Sequence, residues 1–202
     1  MFFHGRPAQI KHVELRSRVP QELLAAPEGN DQLESLYVKW GNYSDLSPLS
    51  GMTRLKSLSL GGASKVTDLS PLTDLTALES LAIDGAFWVK DPSPLSALTG
   101  LRELMYGSAY PGTDKTLSAP DLEWLRPLTN LTTLAMPGTR LTAADLSVIA
   151  ELPRLSQLRL PLRPHYRKQV MDLSASSVAF AEVARAYEEF EAARRLRYSA
   201  PS

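Results

Sequence analysis

The sequence is built on a short motif with apolar residues at its first, fourth and sixth positions and mostly polar residues at its third and fifth. The alternation from the third position to the sixth predicts a short β-strand with one buried face. The motif occurs seven times, over residues 10–15, 33–38, 55–60, 78–83, 101–106, 131–136 and 155–160. Successive motifs start 23, 22, 23, 23, 30 and 24 residues apart, so the predicted strands recur at a nearly constant period.

The segments between the motifs share a second pattern, which begins with an aspartate ten residues before the next motif. The aspartates are Asp45, Asp68, Asp91, Asp121 and Asp145. Apolar residues stand six and three residues before each next motif, a spacing that suits a 3₁₀ or short α-helical turn. Because an aspartate side chain can accept backbone N–H groups at the start of such a turn, these five residues are predicted to be structural N-caps.

A unit of 20–29 residues that repeats an L-x-x-L-x-L strand is typical of leucine-rich repeats. The fuller unit L-x-S-L-x-L…D-L-S-P-L-x-x-L-T-x-L resembles the short bacterial repeats of the internalin-like class, over about residues 10–162. This resemblance implies an α/β solenoid: a horseshoe with a parallel concave sheet of about seven strands and short 3₁₀ or helical turns on the convex side. It also implies a scaffold that binds proteins.

The two ends of the chain depart from the repeat and are interpreted as its caps. Residues 1–30 form a degenerate N-terminal capping repeat that lacks the aspartate, residues 31–162 hold the repeats, and residues 163–202 form a linker and a capping helix. The predicted helix carries an apolar stripe of Phe180, Val183, Ala184, Tyr187 and Phe190. A stripe of this kind also suits a helix that docks a partner or a second copy, and the sequence leaves that alternative open.

Composition narrows the classes of function. The 22 basic residues balance the 22 acidic ones, which gives no electrostatic case for binding nucleic acid or an anionic membrane. With no Cys and three scattered His, the chain is expected to hold no metal and no cofactor.

The first residues lack the pattern of a secretory signal, so a cytoplasmic protein is expected. We further expect the protein to be a monomer. The excess of Arg over Lys suggests a bacterial source.

Charged residues alternate in sign at the second motif position through five neighbouring repeats. They are Lys11, Glu34, Lys56, Glu79 and Arg102. Adjacent parallel strands place such side chains within reach of one another, so the pattern predicts a ladder of ion pairs across strands. Exposed pairs contribute ~0–1 kcal/mol each, so the ladder is interpreted as structural.

The candidate binding surface is the concave face, formed by the third, fifth, seventh and eighth motif positions. The 30-residue repeat also holds an insertion of about seven residues, which maps to a loop at one edge. Exposed Tyr, Trp and Arg are enriched where proteins bind partners. The hypothetical partner-binding residues are Tyr37, Lys39, Trp40, Trp88, Glu103, Met105, Tyr110 and Arg159.

These patterns predict a non-catalytic scaffold that binds a protein partner through the concave face and the inserted loop. No catalytic residue is assigned, because the recurring aspartates are accounted for by capping. Two alternatives stay open. One is an immunity- or regulator-type inhibitor of a single enzyme or toxin, and the other, less favoured, is an enzyme with a site near the inserted loop.

Overall fold

A computed structural model describes residues 10–108, 117–119, 121–141 and 145–199, with the backbone alone for Ser118 and 197–199. Its main feature is a parallel sheet of seven strands in the order β1-β2-β3-β4-β5-β7-β9. The strands are β1 His12–Pro20, β2 Ser35–Asn42, β3 Ser57–Leu60, β4 Ser80–Asp84, β5 Glu103–Gly107, β7 Thr133–Ala135 and β9 Gln157–Arg159. Each begins at the third position of its motif, which confirms the predicted solenoid fold.

The register of the sheet stacks the repeated leucines into one continuous core. Leu36 lies opposite Leu58, which lies opposite Leu81, and the row continues through the later strands. These side chains are 0–4% exposed, as are most leucines of the intervening segments. Because one repeat cannot bury its apolar face alone, this stacking is what makes the chain a stable solenoid.

The segments between strands form the predicted short turns. The 3₁₀ turns between strands are Ser47–Leu49, Ser70–Leu72, Ser93–Ala97 and Glu123–Leu125, and α2 Ser147–Ala150 takes the corresponding place in the last repeat. A further 3₁₀ turn, Pro164–Tyr166, follows β9. The side chain of each of the five aspartates accepts a hydrogen bond from the backbone N–H two residues later. The N···Oδ1 distances are 2.8 Å for Ser47, 2.8 Å for Ser70, 2.9 Å for Ser93, 3.1 Å for Glu123 and 2.9 Å for Ser147.

The position of the aspartates differs from the predicted N-cap by one residue. In the first of these turns the N-cap is Leu46, and its carbonyl accepts the first helical bond from Leu49 at 2.9 Å. Asp45 therefore lies just outside the turn and closes an Asx-type turn onto it. In the next repeat, hydrogen bonds from Ser70 hold the pKa of Asp68 below its usual range. The charged carboxylate is thus the form that the turn stabilises.

The N-terminal repeat follows the same plan with a longer strand. β1 pairs along its length with β2, and the register shifts between Leu15 and Arg18, which marks a bulge. The short helix α1 Gln21–Leu24 follows directly and buries Leu24. A small two-stranded sheet of β6 Leu117–Ser118 and β8 Thr139–Arg140 flanks the main sheet near the insertion.

The C-terminal region is more helical than predicted. The segment interpreted as a linker contains α3 Arg167–Ser174, and α4 Val178–Ser199 packs on both α3 and β9. The first four residues of the predicted stripe are buried, but Phe190 is 57% exposed, so the packed face ends near Tyr187. Across the described residues, no helix has the length and apolar character needed to cross a bilayer.

The alternating charged residues form ion pairs along the end of the sheet where the strands begin. Glu34 lies between two lysines, 2.7 Å from Lys11 and 3.0 Å from Lys56, and Glu79 lies 3.8 Å from Arg102. Hydrogen bonds from Lys11 and Lys56 lower the pKa of Glu34 to about 2. These charged side chains pair with one another where the strands begin. The opposite ends of the strands are therefore the better candidates for a partner site.

Candidate partner-binding groove

A groove of about 730 Å³ lies where β2 to β5 end and the following loops begin. Its lining residues are Lys39, Trp40, Gly62, Ser64, Asp84, Gly85, Phe87 and Ser108. The volume is within the range of ~300–1,000 Å³ that is common for ligand sites. The described lining residues include two aromatic side chains, two glycines, one basic residue and one acidic residue.

Glycines form the floor because the backbone turns too tightly there for other residues. Gly62 has φ +61° and Gly85 has φ +77°, the left-handed region that glycine adopts without strain. A Cβ at Gly61 would lie 1.9 Å from the carbonyl oxygen of Lys39, so no side chain can stand between the two strands at that point. The tight turns thus leave an open depression beside the aromatic residues.

Two aromatic residues border this floor, the exposed Trp40 and the partly buried Phe87, which also packs against the core. Trp40 is 47% exposed and stands beside Gly62, since a Cβ at Gly62 would come within 3.2 Å of the Cβ of Trp40. A Cβ at Gly85 would lie 3.5 Å from the nearest ring carbon of Phe87, so the phenyl ring packs next to this glycine. The guanidinium carbon of Arg18 lies 6.0 Å from the centroid of the Trp40 ring, a cation–π distance that helps to fix the indole.

The charges of the groove are separated along the sheet. Arg18 and Lys39 lie at the β1–β2 end, and Asp84 lies on β4. Beneath the groove, the Tyr43 hydroxyl donates a hydrogen bond to the carbonyl of Gly61 at 2.8 Å. Burial, and then the charge of Asp84, raise the pKa of Tyr43 above its usual range. The groove therefore has a basic end and an acidic end, and a neutral phenol supports its floor.

The predicted partner-binding residues do not all come together. Lys39 and Trp40 line the groove, and Tyr37 lies beside them on β2, 38% exposed. Glu103 and Met105 lie on β5, where Glu103 accepts a hydrogen bond from the Ser80 hydroxyl at 3.1 Å. Two other predicted partner-binding residues lie away from the groove.

Arg159 and Trp88 stand apart from the groove. Arg159 is on β9, five strand positions from Tyr37 and thus ~24 Å away along the sheet. Trp88 is 57% exposed and is not a lining residue; its neighbour Phe87 has that place. Tyr110 lies outside the described residues, so the expected aromatic patch with Trp88 stays a prediction.

The predicted partner-binding residues do not include the other six described lining residues, which are Gly62, Ser64, Asp84, Gly85, Phe87 and Ser108. Phe87 stands at the tenth motif position, beyond the concave positions that were considered, and the turn at Gly85 brings it to the groove. The signal that could have found it was the run of Gly62 and Gly85 at the eighth position, next to Trp40 in the preceding repeat. In the part of the chain that the structure describes, no group of three His, Asp or Glu residues could hold a metal ion.

Known structures with a similar fold were identified by comparison. Internalin C2 of Listeria monocytogenes has a TM-score of 0.61 and 24% identity, over 74% of this chain and 61% of the internalin. The internalin inlF of the same organism has a TM-score of 0.51 and 29% identity, over 66% of this chain and 36% of that one. The receptor kinase HAESA of Arabidopsis, solved with a peptide hormone ligand, has a leucine-rich repeat ectodomain with a TM-score of 0.51 and 23% identity, over 68% of this chain and 23% of that one.

No protein-family model matches the sequence, and no curated protein matches it. The chain spans about three fifths of the length of internalin C2 and about a third of that of inlF. The repeated motif, the parallel sheet and the similar structures agree on one architecture. The chain is a leucine-rich repeat solenoid.

Proposed function

We propose that this protein is a non-catalytic binding module that takes a protein partner in the groove at the edge of its concave face. The observation that carries the proposal is the exposed Trp40, which lines the groove together with the partly buried Phe87 and the glycine floor. Large apolar side chains that remain exposed in a concave surface are typical of sites where partners bind. Tyr37, Lys39, Met105 and Glu103 are proposed to extend the contact over the neighbouring strands.

The layout of the charged groups supports binding. Lys39 and Asp84 are the two ionisable side chains among the lining residues, and β3 separates their strands. Two strand spacings separate their backbones by ~9.6 Å, so the positive and the negative group are carried by strands that are not neighbours. The described part of the groove can thus offer charges of both signs to a partner.

Replacing Tyr37 and Trp40 together by alanine is expected to weaken partner binding at least tenfold, because exposed Tyr and Trp often supply much of the binding energy. The measurement is capture of the partner from cells of the source organism, followed by titration of the purified pair. Both residues are exposed, so the thermal midpoint of the variant is expected to stay close to that of the wild type.

Trp88→Ala is the matched control, since Trp88 is exposed but does not line the groove. It is expected to bind the partner as the wild type does. Unchanged binding by the Tyr37/Trp40 variant, or an equal loss with Trp88→Ala, would place the contact elsewhere on the solenoid.

A further inference from the structure

We infer that the groove recognises a segment of its protein partner in the polyproline II conformation, with an acidic and a basic residue three positions apart. This inference rests on the proposed function and specifies its ligand. Its basis is the backbone hydrogen bonding of the floor, the separation of the charges and the aromatic borders.

The floor offers few backbone donors to a ligand. The N–H of Gly61 donates to Val38 at 2.8 Å, that of Ala63 to Asp84 at 2.8 Å, and that of Gly85 to Gly107 at 2.9 Å. A peptide that added a β-strand would need unpaired groups of this kind. The ligand is therefore recognised mainly through its side chains, and its own backbone groups must remain solvated.

A polyproline II segment meets that requirement, because it has no internal hydrogen bonds and its backbone is fully hydrated. Proline-rich segments in this conformation bind in grooves lined by aromatic residues. Trp40 and Phe87 provide such a lining, two repeats apart, with Gly62 between them. The apolar residues of the segment would lie on the glycine floor between the two rings.

The spacing of the charges selects the same conformation. Lys39 and Asp84 occupy the seventh motif position on β2 and β4, so their backbones lie two strand spacings, or ~9.6 Å, apart. Three residues of polyproline II rise ~9.3 Å and return the side chain to the same face. In a β-strand, residues three apart point to opposite faces. An acidic residue of the ligand would pair with the Arg18–Lys39 end and a basic residue of the ligand with Asp84. The ligand can run in either chain direction.

The test uses the full chain and a labelled, end-capped peptide with the core Glu-Pro-Pro-Arg, measured by fluorescence anisotropy. We expect it to bind about fivefold more tightly than the peptide with the core Glu-Pro-Arg, which shortens the spacing, and than Arg-Pro-Pro-Arg, which reverses one charge. The expected fivefold difference in affinity corresponds to the contribution of one exposed ion pair. A single-stranded oligonucleotide is expected to give no signal.

Lys39→Glu opposes Arg18 with an acidic side chain and cancels the positive charge of that end, so it is expected to remove the preference for Glu-Pro-Pro-Arg over Arg-Pro-Pro-Arg. Lys90→Glu is the control, because it makes the same charge change at an exposed residue that does not line the groove. It should keep the wild-type preference.

Absence of peptide binding, equal binding of all three peptides, a preference that Lys39→Glu leaves unchanged, or binding of the oligonucleotide instead would each overturn the inference. The proposed function fails separately. If the Tyr37/Trp40 variant loses the captured partner while no peptide binds, the groove is a partner site and only the polyproline II ligand is wrong.

Discussion

Leu81→Ala is expected to lower the free energy of unfolding by about 3–5 kcal/mol. Leu81 is 1% exposed on β4, the central strand of the sheet, and lies opposite Leu58 on one side and Leu104 on the other. The substitution leaves a cavity that two neighbouring repeats share. In a solenoid, stability depends on contacts between adjacent repeats, so both interfaces are weakened together.

The loss is measured by equilibrium unfolding in urea, followed by far-ultraviolet circular dichroism. Leu196→Ala removes the same atoms from a side chain that is 73% exposed on α4, and its effect is expected to stay within about 0.5 kcal/mol. A loss below about 1 kcal/mol for Leu81→Ala would mean that the leucine rows do not form the shared core described above.

Phe180→Ala is expected to cost about 3–5 kcal/mol, because it removes the largest fully buried side chain of α4. Phe180 is 0% exposed, and α4 packs on β9, the last strand of the sheet. Two contacts hold the same helix: the Tyr187 hydroxyl donates to the carbonyl of Arg163 at 2.9 Å, and Arg167 pairs with Glu191 at 2.8 Å. The substitution thus exposes the end of the core that the helix covers.

Phe190→Ala provides the matched control on the same helix, since Phe190 is 57% exposed. Its unfolding free energy is expected to remain near that of the wild type. The comparison separates the two interpretations of the C-terminal helix. A cap requires a large loss for Phe180→Ala, whereas a helix that only docks a partner would leave the stability of both variants nearly unchanged.

The strands were the part of the fold most accessible from sequence. Alternation of apolar and polar residues identifies the buried face of a strand, and a shift by one residue would expose every leucine to water. The motif therefore located the start of all seven strands, including β1, whose repeat is degenerate. The N-caps were displaced by one residue because the sequence shows that an aspartate begins a turn, but not which carbonyl accepts the first helical bond.

The C-terminal region could be predicted only in part. α3 is short and has one fully buried residue, Val170, so its periodicity is weak, and it depends on packing against α4. Glu191 has an arginine four residues later, at Arg195, but its carboxylate pairs with Arg167 on α3 instead. Which partner a charged side chain takes depends on tertiary packing, and local spacing does not reveal it.

The partner-binding residues predicted from the sequence include two of the eight described lining residues of the groove. Lys39 and Trp40 follow from their motif positions on β2, because those positions face the concave side. Phe87 and Ser108 enter the site through turns that depend on positive φ and on the hydrogen bonds between neighbouring loops. Those features belong to the assembled solenoid, so one repeat considered alone does not show them.

The central claim is that the partner contacts the groove, and a site-specific cross-link tests it most directly. A photo-reactive residue is placed at Ser64, which is exposed and lines the groove, or at Asp74, which is exposed on the path between β3 and β4. After irradiation in extracts of the source organism, the account predicts one partner cross-linked from position 64 and none from position 74. Cross-linking from position 74 alone, or equally from both, would contradict it.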